Sequence, residues 1–116
     1  MNKVKIGVVG AGIYGTYHIR TYKCDPNVEK VVFCDLNEER KGIAEEKFGI
    51  KGYTSIKEMI ETEKLDAVSI ATSDPYHFEP CKDAIESGIK YLLIEKPMAL
   101  TVKECEEIIE LAKKMM

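Results

Sequence analysis

Apolar residues along the chain gather in short, β-branched runs separated by longer stretches in which they recur at helical spacing. That alternation is expected of βαβ units built around a parallel sheet. The runs that read as strands are Lys3 to Val9, Lys30 to Asp35, a short one near Gly52 and Tyr53, Ala67 to Ala71, and Lys90 to Glu95. Several are apolar almost throughout, as befits strands covered by helices on both faces.

The stretches between them carry helix start and stop signals. Asn37 can cap a helix whose first turn holds Glu38 and Glu39, and Gly49 can close it. Ser55 with Glu58, and Thr101 with Glu104, fit the Ser/Thr-x-x-Glu capping pattern. Asp74 and Pro75 supply a cap and a first-turn proline for another helix, which Gly88 can end. The last helix sets Val102, Cys105, Ile108, Ile109, Ala112 and Met115 on one face, which requires something to pack against, and the sheet can supply it.

Length and composition narrow the class. At 116 residues the chain holds one domain, and 45% hydrophobic with 32% charged residues and a net charge of -3 is the balance of an ordinary globular protein. No basic stripe interleaved with aromatics appears, so nucleic acid is not an expected partner. The longest apolar runs fall far short of the roughly 20 residues that cross a bilayer. Met1 to Lys5 pass straight into a strand-like run with no room for a signal peptide, and a cytoplasmic location is the expectation. Cys24, Cys34, Cys81 and Cys105 are widely spaced, with no CxxC pair and no histidine at ligand distance. They read as reduced, mostly buried thiols rather than metal ligands.

The first strand runs into Gly10-Ala11-Gly12-Ile13-Tyr14-Gly15, a G-x-G-x-x-G set between a strand and a helix. There Gly10 permits a tight turn, Gly12 lets the backbone approach a pyrophosphate, and Gly15 lets helix and strand pack closely. The phosphates of a dinucleotide would rest on free N–H groups at the positive end of the helix. Asp35 follows at the end of the second strand, where a carboxylate accepts hydrogen bonds from the adenosine ribose hydroxyls and repels a 2′-phosphate. NAD is therefore expected over NADP, although Arg40 one turn further on leaves room for relaxed specificity.

A sheet that begins this way has the doubly wound Rossmann order 3-2-1-4-5, helices on both faces, and its ligand crevice beside the loop after the fourth strand. That loop delivers Ala71, Thr72, Ser73, Asp74, Pro75, Tyr76 and His77. Thr72, Ser73 and His77 could line the nicotinamide ribose; on these residues alone, a Ser/Thr-rich cap beside a surface histidine is the plainer reading. The fifth strand ends in Glu95-Lys96-Pro97 on the same side. Adjacent strand residues face opposite ways, so Glu95 and Lys96 are not a simple pair. A lysine so placed could favour a substrate alkoxide; taken alone, a solvated lysine is the safer reading.

Together these segments resemble the glucose-fructose oxidoreductase and inositol dehydrogenase family, Gfo/Idh/MocA, whose N-terminal domain carries a G-x-G-x-x-G, an acid closing the second strand, an Ala-Thr-Pro-x-x-x-His segment and Glu-Lys-Pro. The resemblance spans essentially the whole chain; Ser73 stands where the family often has proline. It implies that Gly10, Gly12, Ile13, Tyr14, Asp35, Thr72, Ser73, His77, Glu95 and Lys96 border the dinucleotide, with Lys96 also reaching the substrate as a catalytic group.

The resemblance further implies an NAD-dependent dehydrogenase acting on a CH–OH group of a sugar or polyol, homo-oligomeric at full length. Residues 1–116 would be its cofactor domain. The family's C-terminal substrate domain, which carries the Asp and His that complete the acid–base work, is missing. The absence of a further strand after Met116 fits a chain cut at that boundary, one that binds cofactor without turnover. A non-catalytic NAD(P) sensor reusing the fold is the main alternative. Another dehydrogenase with a similar first domain is disfavoured by Glu95-Lys96-Pro97, a methyltransferase by Gly15, and a P-loop is absent.

Overall fold

The computed structural model describes residues 3–72, 78–95 and 101–116, with the main chain only at 13 and 14. In chain order the elements are β1 (Val4–Val9), α1 (Ile13–Lys23), β2 (Val28–Cys34), α2 (Glu38–Phe48), β3 (Gly52–Tyr53), α3 (Ile56–Glu63), β4 (Ala67–Ile70), α4 (Phe78–Glu86), β5 (Tyr91–Ile94) and α5 (Val102–Met115). All strand pairs are parallel, in the order β3-β2-β1-β4-β5. This is the doubly wound sheet expected from the sequence. The register sets Val9 beside both Cys34 and Ile70, so β1, β2 and β4 end level with one another.

Alternating side chains divide the core between the two faces of the sheet. Ile6 and Val8 of β1 and Val31 and Phe33 of β2 pack with Ile19 of α1 and Ala44 of α2. Val9, Val32, Cys34, Val68 and Ile70 face Met59 and Ile60 of α3, Cys81, Ala84 and Ile85 of α4, and Ile108 of α5. Phe33 is fully enclosed, which contributes about 2–3 kcal/mol relative to an exposed ring.

The helix signals act where they were expected. Asn37 accepts from the Arg40 N–H at 2.9 Å, Ser55 from Glu58 at 3.2 Å, and Thr101 from Glu104 at 3.1 Å. Gly49 closes α2 in the left-handed region at φ 65°. The cap placed at Asp74 and Pro75 lies outside the described residues.

Two expectations need correction. The apolar face of α5 is narrower than its sequence suggests: Val102 is 75% exposed, Ile109 43% and Met115 46%. Its packed stripe is the buried Ile108 with the partly buried Cys105, Leu111 and Ala112, which sit on one side at helical spacing against the core that includes α4, whereas Val102 and Ile109 fall on the flanks. On β5, Leu92 and Ile94 join that core, but Tyr91 (66% exposed) and Leu93 (54%) face the other way and are open. Among the described residues, that edge strand is covered on one face only.

Candidate functional site

The loop between β1 and α1 shows why three glycines are spaced as they are. Gly10 takes φ 98°, and a Cβ there would stand 2.9 Å from the Thr72 nitrogen and 3.0 Å from the Ala71 carbonyl. The turn is thus wedged against the strand end of β4, with the Ala71 N–H donating to the Val9 carbonyl at 2.8 Å. A Cβ on Gly15 would lie 1.7 Å from the Gly10 carbonyl oxygen, so α1 can rise from the turn only on a glycine. Gly12 differs: a Cβ there would meet nothing within 4 Å. Its side is open, and it caps α1 with no side-chain acceptor and no acidic residue in the first turn. The first N–H groups of a helix have no partner within it, and with open space beside Gly12 this helix start suits a bound anion.

Asp35 closes this corner. It is 5% exposed, and its carboxylate is saturated: Oδ2 accepts from the Ala11 N–H at 2.9 Å and from Arg40 Nε at 3.1 Å, while Oδ1 accepts from the Asn37 N–H at 2.8 Å and from Arg40 Nη2 at 3.3 Å. The acid therefore ties the glycine turn to the start of α2. Next to it, burial pushes the Cys34 thiol up to about 12, with the Asp35 charge adding to the effect, which makes that thiol inert.

Across the crevice, Glu95 follows β5 and is anchored by its N–H to the Ile70 carbonyl at 3.0 Å. Its Oε1 lies 2.6 Å from Nε2 of His18, a side chain only 11% exposed in the middle of α1. The other ring nitrogen, Nδ1, is buried with no partner among the described residues. The ring therefore meets the carboxylate through Nε2, which donates to Oε1. The His18 ring meets Tyr22 edge-on at 6.0 Å, and Tyr22 reaches Ser69 on β4 at 2.5 Å. A polar string thus runs beneath the switch point, linking α1 to β4 and β5.

Gly10, Gly12, Gly15, Asp35, Thr72 and Glu95 all fall at the carboxyl ends of the strands, where the sequence placed them. Ser73, His77 and Lys96 lie outside the described residues. The role of Ala11 as donor to Asp35 and the pairing of His18 with Glu95 were not read from the sequence. For His18 a signal existed: with Gly15, Ile19 and Tyr22 it shares the sheet-facing stripe of α1.

A model of the oxidoreductase family with an NAD-binding Rossmann fold, GFO_IDH_MocA, matches residues 4–116. An inositol 2-dehydrogenase from Salmonella paratyphi B is 32% identical over 114 residues, covering 96% of this chain and 34% of that protein. An NAD-binding protein from Listeria innocua superposes with a TM-score of 0.88 at 32% identity, over 99% of this chain and 32% of the other. The WlbA dehydrogenase from Bordetella pertussis, solved with NADH and UDP-GlcNAcA, gives 0.88 at 25% identity over 99% and 34%. The chain spans about a third of the length of the curated relatives it matches. It belongs to the Gfo/Idh/MocA oxidoreductase family as an NAD-binding Rossmann domain.

Proposed function

We propose that this member of the Gfo/Idh/MocA family is the cofactor domain of an NAD-dependent dehydrogenase that oxidises a CH–OH group of a sugar, polyol or related cyclic substrate. The observation that carries the reading is the open space beside Gly12 at the start of α1, one residue beyond an N–H held by Asp35. A pyrophosphate fits there, because the turn offers donors, a positive dipole end and no Cβ in the way.

Gly10, Gly12, Ile13, Tyr14 and Gly15 would hold the phosphates through the main chain, and Asp35 the adenosine ribose. Thr72, Ser73, His77 and Glu95 would border the nicotinamide half. When bound, NAD supplies a two-electron acceptor for the carbinol carbon. Lys96 acts at the substrate hydroxyl, stabilising the oxygen as its proton leaves. The remaining acid–base groups and most of the substrate pocket belong to a C-terminal domain such as the family carries, so residues 1–116 bind cofactor without turnover. The full-length protein is a homo-oligomer in the cytoplasm. No helix among the described residues is long and apolar enough to cross a membrane.

Calorimetric titration of the chain with NADH tests this reading, repeated with Asp35→Ala. Saturable NADH binding, weakened about tenfold or more by the substitution, is expected. Absence of NADH binding to the unaltered chain overturns it.

A further inference from the structure

Glu95 is held at both ends. Its N–H donates to the Ile70 carbonyl at 3.0 Å, which fixes the main chain just past β5. Its carboxylate meets Nε2 of His18 at 2.6 Å. That ring is braced in turn: it stands edge-on to Tyr22 at 6.0 Å, the Tyr22 hydroxyl reaches Ser69 at 2.5 Å, and Ser69, fully buried on β4, directly precedes Ile70. The contacts close a circuit from the Glu95 amide back to its own side chain. A free glutamate side chain samples many rotamers, and a ligand that engaged it would have to freeze them on binding. Here His18 does so before any ligand arrives. The Glu95 side chain is still 34% exposed, so its carboxylate can accept from a ligand while Oε1 is held.

We infer that His18 is a positioning residue for the nicotinamide half of the cofactor, holding the Glu95 carboxylate so that the nicotinamide ribose meets an acceptor already in place. The inference rests on the proposed dinucleotide reading, in which Glu95 borders that half. Gly12 and Asp35, which would take the pyrophosphate and the adenosine ribose, follow β1 and β2, whereas β5 lies two strands beyond β1 on the other side. Loss of His18 therefore loosens one end of the site and spares the other. The His18 side chain is only 11% exposed and is engaged through Nε2, so it acts through Glu95 rather than on the ligand.

Calorimetric titration with NADH and with ADP-ribose, which lacks the nicotinamide, tests this on the unaltered chain, His18→Leu, Glu95→Gln and the double variant, with thermal melts to establish that each folds. The unaltered chain should bind NADH tighter than ADP-ribose. His18→Leu should weaken NADH about fivefold and leave ADP-ribose unmoved. In the Glu95→Gln background the same change should add no further loss, because His18 works only through that carboxylate. The emission of bound NADH comes from the nicotinamide ring, and with His18→Leu it should move toward that of the free nucleotide. Equal losses for both ligands, as a disturbed α1 would give, overturn the inference while NADH binding itself stands. So does an NADH affinity that His18→Leu leaves untouched, or a full loss that persists in the Glu95→Gln background. An unaltered chain that binds neither ligand overturns the dinucleotide reading and this inference with it.

Discussion

The Gly10 carbonyl oxygen presses so closely on Gly15 that a Cβ at position 15 would lie 1.7 Å from it, whereas a Cβ on Gly12, in the same turn, would meet nothing within 4 Å. One glycine is demanded by the fold and the other is left to the ligand. Gly15→Ala should destabilise the chain by about 3 kcal/mol or more, because the turn is locked against Thr72 and has nowhere to retreat. Gly12→Ala should stay within about 1 kcal/mol of the unaltered chain and yet lose NADH binding. Thermal unfolding and NADH titration on both variants check this; a Gly12→Ala chain that binds NADH normally would place the phosphates elsewhere.

The pair formed by His18 and Glu95 joins α1 to the end of β5 across 77 residues of sequence. Glu95 can rehydrate if released, being 34% exposed. His18→Leu should therefore cost little stability while freeing the Glu95 carboxylate. A double-mutant cycle with Glu95→Gln should return a coupling of about 1 kcal/mol in unfolding free energy. Additive effects would mean that the contact is incidental.

Two carboxylates should give opposite pH responses. Glu63 is held below the ordinary carboxylate range, chiefly by the Lys30 ammonium and then by the Tyr53 hydroxyl at 2.5 Å. A lowered folded value means that its stabilisation is present above the ordinary value of 4.5 and lost as the pH falls through the folded one. Asp83 is raised, first by burial and then by Glu79 and Glu86, so its ionised form is a cost at neutral pH that vanishes in acid. Melts from pH 7 to 3 should show Glu63→Gln losing about 1–2 kcal/mol at pH 7 with a flatter acid limb. Asp83→Asn should melt higher than the unaltered chain at pH 7 and match it below pH 3.8.

The cysteines should separate by reactivity. Burial pushes Cys34 and Cys81 up to about 12, Cys105 is half-buried, and Cys24 at the end of α1 is exposed. The sequence-based expectation that these thiols are mostly buried fails for Cys24, which sits in the turn after α1 beyond the last sheet-facing residue. A thiol reagent at pH 8 should label Cys24 quickly and Cys105 slowly, and should reach Cys34 and Cys81 only with unfolding. Rapid native labelling of Cys34 would contradict the packing at the end of β2.

Strand positions and helix caps were legible because they are local. The apolar runs locate each strand to within two residues, β2 starting two residues earlier than its run, and Asn37, Ser55 and Thr101 cap through neighbours three residues on. The glycine turn was legible because its spacing lies within six residues and Gly15 meets Gly10 inside it, although the wall that Gly10 meets, Ala71 and Thr72, comes from β4. What escaped depends on the crossovers. That Asp35 is already filled requires Ala11, which comes from another strand's loop. That His18 is bound to Glu95 requires β5 to lie beyond β4 on the side of α1. The open face at Tyr91 and Leu93 follows from an edge position that apolarity alone does not reveal.

Asp35 serves as acceptor for a loop amide as well as for any sugar, and anyone retrofitting the domain inherits both duties together. Exchanging the acid for a small residue to admit a different nucleotide would strand the Ala11 N–H in a buried spot. A successful redesign must graft in a surrogate acceptor for that amide; otherwise altered selectivity would arrive as a loosened hinge rather than a reshaped pocket.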